Sequence, residues 1–300
     1  MGKLVEGKWV DQWYDTTSTG GRFVREDSGF RGDIARDEFE PGRYHLYVSL
    51  ACPWAHRALI FRKLKHLEDK IGLSIVDPLM AEHGWAFSEG PGCIPDTVND
   101  AKYLHQLYTL VKRDYTGRVT VPVLWDKRER TIVNNESSEI IRIFNRIGDG
   151  PDYYPERLRP EIDEVNALVY ERINNGVYKA GFATEQAVYE QACRALFEAL
   201  DTLEARLATK TYLCGDAITE ADWRLFTTLL RFDPVYHGHF KCNLKRLIDY
   251  PNLSRYAEAL HAVPGIADTT NYDHNKQHYY RSHKAINPTG IVPLGPSAVL

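Results

Sequence analysis

The chain has 300 residues, 43% of them hydrophobic and 26% charged, and its 37 basic and 41 acidic side chains give a net charge of −4. This composition excludes a wholly disordered chain. The small negative charge excludes a protein that its overall field would draw to nucleic acid or anionic lipid. We therefore expect a small-molecule partner, and the length predicts two domains or one large one.

Nothing in the sequence indicates export, membrane insertion or a metal site. The first six residues lack the apolar core of a leader and the hydroxyl that a myristoylation motif requires. No stretch approaches the ~18 consecutive apolar residues of a membrane helix. The five cysteines are odd in number and contain no Cys-x-x-Cys pair, which argues against a disulfide framework or a zinc site. We expect a cytoplasmic protein without a metal.

Residues 1–43 mix glycine and polar residues around a few aromatic side chains, which predicts an irregular N-terminal arm. Strands and helices then alternate over residues 44–148. Runs of β-forming residues predict four strands, at 44–50, 73–77, 121–125 and 131–133. Apolar residues at helical spacing predict three helices, one beginning at Pro53 and the others over 100–112 and 137–147.

The order βαβαββα is that of a thioredoxin-like domain, an α/β fold with a four-stranded mixed sheet and helices on both faces. Pro122 opens one of the strand-like runs. Proline cannot donate to a sheet ladder, so it predicts an edge or a bend at this point. The alternatives are an ordinary proline at the start of a strand and a cis peptide bond.

After a turn-rich bridge at 148–155, strand patterns end, and residues 160–300 predict an all-α C-terminal domain. Three apolar stripes predict its helices. They comprise Ile162, Val165, Leu168 and Val169; Ala192, Leu196, Leu200, Leu203 and Leu207; and Leu225, Leu229 and Leu230. Thr219 and Asp222 form a variant of the capping box before the third stripe. From Asn271 the sequence predicts a structured extension over the surface of this domain.

Cys52 lies where the first predicted strand gives way to a helix, with Pro53 at the first helical position. A thiol there faces unpaired amides and the positive end of the helix dipole. Both favour the reactive thiolate and lower the pKa of a cysteine from its ordinary value of about 8.5. The alternative is a buried, inert cysteine. Ala55 stands where a dithiol oxidoreductase would place its second cysteine, so the second thiol must come from outside. Glutathione fits, because helix N-termini and an open sheet edge can hold an extended peptide and its carboxylates.

Four blocks of sequence resemble the xi class of glutathione transferases, the glutathionyl-hydroquinone reductases. They are Cys52–Arg57, Asn174–Ala183, Val235–Tyr236 with His239–Asn243, and His278–Tyr280 with Asn287–Pro288. The resemblance spans nearly the whole chain. It implies a homodimer of two-domain subunits, with glutathione bound to the thioredoxin-like domain.

The resemblance also implies a set of glutathione-binding residues. Glu136 and Ser137 would hold the γ-glutamyl end, the acid pairing with its ammonium group and the hydroxyl with its carboxylate. Val121 would pair through its backbone with the cysteinyl peptide group, and Trp85 and Arg118 would contact the remainder of the tripeptide. The alternatives are a plain helix cap at Glu136 and Ser137, a core tryptophan and a solvated arginine.

Three tyrosines complete the implied site. Tyr178 would transfer a proton to the departing aromatic ring, because charge develops there when Cys52 attacks the substrate sulfur. Tyr236 and Tyr279 would bind the hydroquinone and bias Cys52 toward thiolate. Each tyrosine could instead be a packed amphipathic side chain.

The leading functional hypothesis is a reductase that removes glutathione from S-glutathionyl-hydroquinones through a mixed disulfide on Cys52. An omega-like thioltransferase or dehydroascorbate reductase would need the same cysteine but no aromatic pocket. A non-catalytic binding module of the same fold is a third hypothesis, against which the presence of Cys52 counts.

Overall fold

The computed structural model describes residues 2–296, in which the chain divides into two compact units. The first unit contains the residues up to Trp13, Glu26–Pro151 and Asp268–Val292. The second contains Tyr14–Arg25, Asp152–Ala267 and the residues after Val292. The N-terminal arm thus contributes to both units, and most of the C-terminal extension belongs to the first.

A four-stranded mixed sheet lies at the centre of the first unit. Its strands are β3 (Tyr44–Val48), β4 (Ile71–Ile75), β6 (Val123–Asp126) and β7 (Thr131–Asn134), in the order β4-β3-β6-β7. β3 runs parallel to β4, and the other neighbours are antiparallel. All five residues of β3 are buried, which explains its continuous run of β-forming residues.

The helices of this unit are α1 (Pro53–Leu64), α2 (Leu104–Val111), α3 (Ser137–Ile147) and α10 (Tyr272–Ser282). The first three helices and the four strands confirm the thioredoxin-like order βαβαββα. The second strand begins two residues earlier than predicted because Ile71 pairs with Tyr44. The third begins at Val123, since Pro122 has no N–H to give to the ladder. The Val121–Pro122 peptide bond is cis.

The N-terminal arm is not irregular throughout, contrary to the prediction. β1 (Lys3–Val5) and β2 (Lys8–Val10) form an antiparallel hairpin, and β1 also pairs with β5 (Gly117–Arg118). Glu6 and Gly7 both have positive φ, 48° and 75°, as a two-residue hairpin turn requires. Three-residue strands are too short to show a period, so this turn was the only available signal.

His45 lies at a close approach between β3 and β4. A Cβ on Gly72, its partner in the register, would lie 2.3 Å from His45 Nδ1, so only glycine fits there. His45 Nε2 lies 2.9 Å from Ser74 Oγ, which donates to the Pro95 carbonyl at 2.9 Å. Because a hydroxyl has one proton, Nε2 must be the donor to Ser74. Burial lowers the pKa of His45 to about 4, so the ring is neutral at pH 7.

The second unit is helical, as predicted. Its helices are α4 (Arg159–Leu168), α5 (Gly176–Gly181), α6 (Gln186–Leu207), α7 (Glu220–Leu229), the single-turn α8 (His237–His239) and α9 (Pro251–His261). The three predicted stripes fall mainly on α4, α6 and α7. Asp222, fully buried, accepts hydrogen bonds from the Thr219 N–H at 2.7 Å, the Leu213 N–H at 2.9 Å and the Tyr256 hydroxyl at 2.8 Å. The acid of the predicted capping box therefore also ties α7 to α9.

The described residues contain neither a membrane-spanning helix nor a metal-binding cluster. No helix within residues 2–296 has the length and apolar character needed to cross a membrane. In the same residues, no group of three or more His, Cys, Asp or Glu side chains is arranged to hold a metal ion.

Replacing His45 should flatten the pH dependence of stability. The pKa of His45 is about 4 in the folded state against about 6.5 in the unfolded chain, so protonation favours unfolding. The folded state should therefore lose about 2–3 kcal/mol from this group as the pH falls from about 7.5 to about 4.5. Urea titrations at both pH values should show this loss in the wild type and not in His45→Gln. His83→Gln, at a half-exposed histidine, should behave as the wild type; equal pH dependence in all three proteins would contradict the prediction.

Candidate functional site

The sulfur of Cys52 lies at the N-terminus of α1, as predicted. Cys52 is the N-cap residue, with φ −80° and ψ 121°, and Pro53 occupies the first helical position. Its Sγ accepts a hydrogen bond from the Ala55 N–H at 3.5 Å and lies 3.6 Å from the Val121 carbonyl oxygen. The side chain is half-buried. The amide and the helix dipole stabilise negative charge on this sulfur.

The other four cysteines have different surroundings. Burial raises the pKa of the thiols of Cys93, Cys193 and Cys242, and raises that of Cys214 to about 11. None of the five cysteines forms a disulfide within the chain. Since the thiolate is the nucleophile, these four side chains are poorly suited to attack a sulfur atom.

Glu136 and Ser137 stand at the start of α3. Glu136 is the N-cap residue, and its Oε1 accepts from the N–H and the hydroxyl of Ser138 at 3.0 and 2.9 Å. Its Oε2 accepts from the Ser28 hydroxyl at 3.0 Å, which leaves that oxygen able to accept a further hydrogen bond. The capping alternative is therefore present in the structure, and it is compatible with binding an ammonium group. Sequence reasoning missed Ser28, which lies in the arm.

Arg118 and Trp85 are both held by neighbours in the first unit. Arg118, in β5, donates to the Gln12 carbonyl at 2.8 Å, and its side chain is 11% exposed, so it is not a solvated arginine. The indole of Trp85 is buried and stacks on the His278 ring, with the centroids 4.7 Å apart. The arm and α10 therefore position these two predicted contacts.

Tyr279 lies in α10, in the same unit as Cys52, whereas the sequence places it in the extension of the helical domain. Its ring is buried and packs edge-on against His283 at 5.3 Å. The segment that leads to α10 is anchored to α1, because His56 Nε2 lies 2.8 Å from Thr269 Oγ1. His56 stands one turn after Cys52 on α1, and its N–H donates to the Cys52 carbonyl at 2.9 Å.

Tyr178 and Tyr236 come together in the second unit. Their buried rings are 6.1 Å apart, and both pack on Phe240, at 5.4 and 5.5 Å. The guanidinium of Arg25 lies 4.9 Å from the Tyr178 ring. Sequence reasoning missed Arg25, because the arm shows no period.

The backbone before each of these tyrosines departs from a regular α-helix. A π-helical segment, Val169–Asn174, precedes α5, which carries Tyr178, and a second, Phe232–Tyr236, ends at Tyr236. Such segments are rare in proteins overall, but those that occur are often found at functional sites. The first ends at Asn174, where one of the four blocks of the family resemblance begins, and the second ends at Tyr236, inside another.

The chain matches known proteins over its whole length. Family models for the N-terminal and C-terminal domains of glutathione S-transferase match residues 51–147 and 186–259. The chain is 57% identical to the glutathionyl-hydroquinone reductase PcpF of Sphingobium chlorophenolicum, over 100% of this chain and 98% of the relative.

Two solved structures are similarly close. The xi glutathione S-transferase of Phanerochaete chrysosporium is 52% identical with a TM-score of 0.90, over 93% of this chain and 99% of that one. The glutathione-bound structure of YqjG from Escherichia coli K-12 is 49% identical with a TM-score of 0.90, over 98% and 96%. The thioredoxin-like order, the cysteine at the start of α1 and these matches together place the chain in the xi class of glutathione transferases, the glutathionyl-hydroquinone reductase family.

Proposed function

We propose that this protein is a glutathione-dependent reductase that removes glutathione from S-glutathionyl-hydroquinones. The observation that carries the proposal is the sulfur of Cys52 at the start of α1, with the Ala55 amide donating to it, in a chain of this family. A cysteine stabilised as thiolate can attack a sulfur atom. Without a second cysteine three residues on, it needs an external thiol to complete the cycle.

The reaction has two steps. In the first, the Cys52 thiolate attacks the sulfur of the conjugate and forms a disulfide with the glutathionyl group. The bond between that sulfur and the aromatic carbon breaks, and its electron pair stays with the carbon, which takes up a proton to give the hydroquinone. In the second step, glutathione attacks the mixed disulfide and releases oxidised glutathione and the Cys52 thiolate. Overall, the thioether sulfur of the conjugate and the thiol of glutathione are oxidised to a disulfide, and the aromatic carbon is reduced.

The first unit supplies the proposed glutathione site. Glu136 binds the γ-glutamyl ammonium group, Ser137 binds the neighbouring carboxylate, and the Val121 backbone pairs with the cysteinyl peptide group. Trp85 and Arg118 contact the remainder of the tripeptide. The fixed carboxylate of Glu136 and the amides at the start of α3 support the first two assignments.

Tyr178 is the proposed proton donor to the aromatic carbon, and Tyr236 and Tyr279 bind the hydroquinone and bias Cys52 toward thiolate. The guanidinium of Arg25 beside Tyr178 supports this role, because a cation stabilises the phenolate that proton donation leaves behind. The reaction consumes reduced glutathione, which fits a reducing compartment such as the cytoplasm. The homodimer remains a prediction.

Turnover of three substrates tests the proposal. With glutathione as reductant, the wild type should reduce an S-glutathionyl-hydroquinone faster than dehydroascorbate or a small alkyl mixed disulfide. Cys52→Ala should be inactive, because the nucleophile is lost, whereas Cys93→Ala, at another half-buried thiol, should keep wild-type activity. Faster turnover of dehydroascorbate would favour an omega-like thioltransferase, and binding of glutathione without any turnover would favour a binding module.

The mixed disulfide can be detected directly. When the enzyme meets the conjugate without free glutathione, mass spectrometry should show one added glutathionyl group, because nothing completes the second step. Cys52→Ala should gain none. If no adduct forms under quenched single-turnover conditions while steady-state turnover proceeds, glutathione attacks the conjugate directly.

Tyr178→Phe should separate the two kinds of substrate. General acid catalysis is typically worth about 10²–10⁴-fold, so kcat for a hydroquinone conjugate should fall within that range. Reduction of an alkyl mixed disulfide should suffer much less, because its thiolate leaving group needs no such acid. Tyr170→Phe, at a 41% exposed tyrosine of the neighbouring π-helical segment, serves as the control and should change neither rate. Equal losses on both substrates would show that Tyr178 supports the fold or the glutathione site instead.

A further inference from the structure

A buried arginine joins the helix of Cys52 to the start of α3. Arg57 lies on α1, five residues after Cys52, and is 1% exposed. Its guanidinium lies 4.6 Å from the centroid of the Trp54 ring, and its Nη1 lies 3.5 Å from Ser137 Oγ. Arginine stays protonated in proteins, and burying a charge is costly. The Trp54 ring and the Ser137 hydroxyl are two of the groups that this cation contacts.

The hydrogen bond between Arg57 and Ser137 determines which way the serine hydroxyl acts. A guanidinium only donates, so Ser137 Oγ must accept the bond from Nη1. The hydroxyl keeps its own proton and can donate it to another group. Arg57 therefore makes Ser137 a donor, which is the polarity that a carboxylate requires.

The surroundings of Ser137 add to this preference. Ser137 is the first residue of α3, where unpaired main-chain amides and the helix dipole attract anions. The dipole alone contributes little, whereas a hydrogen bond assisted by a full charge is roughly twice as strong as a neutral one. Glu136, next in the chain, supplies the opposite charge. A ligand with a carboxylate and an ammonium group on the same carbon therefore matches Ser137 and Glu136, which would bind one group each.

We propose that Arg57 is a positioning residue for the α-carboxylate of the γ-glutamyl group and acts through Ser137. It fixes the hydroxyl as a donor and adds positive charge behind it, while the Trp54 ring holds the guanidinium in place by a cation–π contact. This rests on the proposed function, since it takes glutathione as the ligand at Glu136 and Ser137. Helix α1 then carries both the nucleophile and the cation that orients Ser137 at the far end of the tripeptide.

Three peptides separate recognition of the carboxylate from a general structural role. Glutathione has both charged groups on its γ-glutamyl carbon. The peptide 4-aminobutyryl-Cys-Gly lacks only the α-carboxylate, and glutaryl-Cys-Gly lacks only the α-ammonium group. Dissociation constants from calorimetry, with all thiols kept reduced, would be measured for the wild type, for Arg57→Met, Arg57→Lys and Ser137→Ala, and for the double variant Arg57→Met/Ser137→Ala.

Arg57→Met should weaken binding of glutathione and of glutaryl-Cys-Gly by about tenfold or more and leave 4-aminobutyryl-Cys-Gly unchanged. Arg57→Lys should recover part of the loss, because it keeps the charge but not the fixed donor geometry. In the Ser137→Ala background, Arg57→Met should cost less than it does in the wild type, since the two residues act as one unit.

Arg62 provides a matched control. It is also buried on α1, but it donates to the carbonyls of Ile71 and Glu68, at 2.8 and 2.7 Å. Arg62→Met should not discriminate among the peptides. If Arg57→Met fails to fold by circular dichroism, Arg57→Lys and Ser137→Ala still test the pattern.

Two results would overturn the inference. One is an equal loss for all three peptides, or no loss for any, in the folded Arg57 variants. The other is an Arg62→Met variant that reproduces the discrimination. A wild type that binds no glutathione would instead contradict the proposed function, and this inference with it.

Discussion

The hydrogen bond from the Ala55 amide to the sulfur of Cys52 is the constraint on which the site depends. It requires an extended backbone at Cys52 and a helix that begins at the next residue, and β3 ends at Val48, a short turn before it. Pairing of β3 with strands on both sides fixes that end. The Val121 carbonyl, 3.6 Å from the same sulfur, can accept a hydrogen bond from the thiol. The amide thus stabilises the thiolate, whereas the carbonyl stabilises the thiol. The balance between the thiol and thiolate forms of Cys52 therefore depends on these two backbone groups.

Most of the charge in the proposed glutathione site is supplied by helix starts and by side chains fixed next to them. A helix dipole at an exposed end contributes about 0.3–1 kcal/mol, whereas a hydrogen bond to a charged group contributes about 1.5–3 kcal/mol. Fixed side chains therefore determine affinity more than the dipoles do. Ser28 and Ser138 hold the Glu136 carboxylate, and Trp54 holds the Arg57 guanidinium. Each charged group is thus oriented by a neighbour before any ligand arrives.

The sequence predicted elements with a sustained pattern closely; α3, for example, begins and ends at the predicted residues. It did not predict contacts between distant residues. Ser28 meets Glu136 across 108 positions, and His56 meets Thr269 across 213, and neither leaves a periodic trace. The unit to which α10 and Tyr279 belong depends on contacts of this second kind, so no pattern in the sequence predicts it. Arg57 stands inside a recognisable block, but only the fold brings it to Ser137.

Within residues 2–296 the chain passes between the two units five times, after Trp13, Arg25, Pro151, Ala267 and Val292. Neither unit is therefore encoded by one continuous stretch of gene. The matched family domains, 51–147 and 186–259, are only uninterrupted parts of each unit. If recombination exchanged one of these segments, the other parts of the same unit would stay behind. The exchanged segment would then pack against side chains that had not changed with it. An exchange of whole units between relatives would therefore have to include the arm and the extension as well.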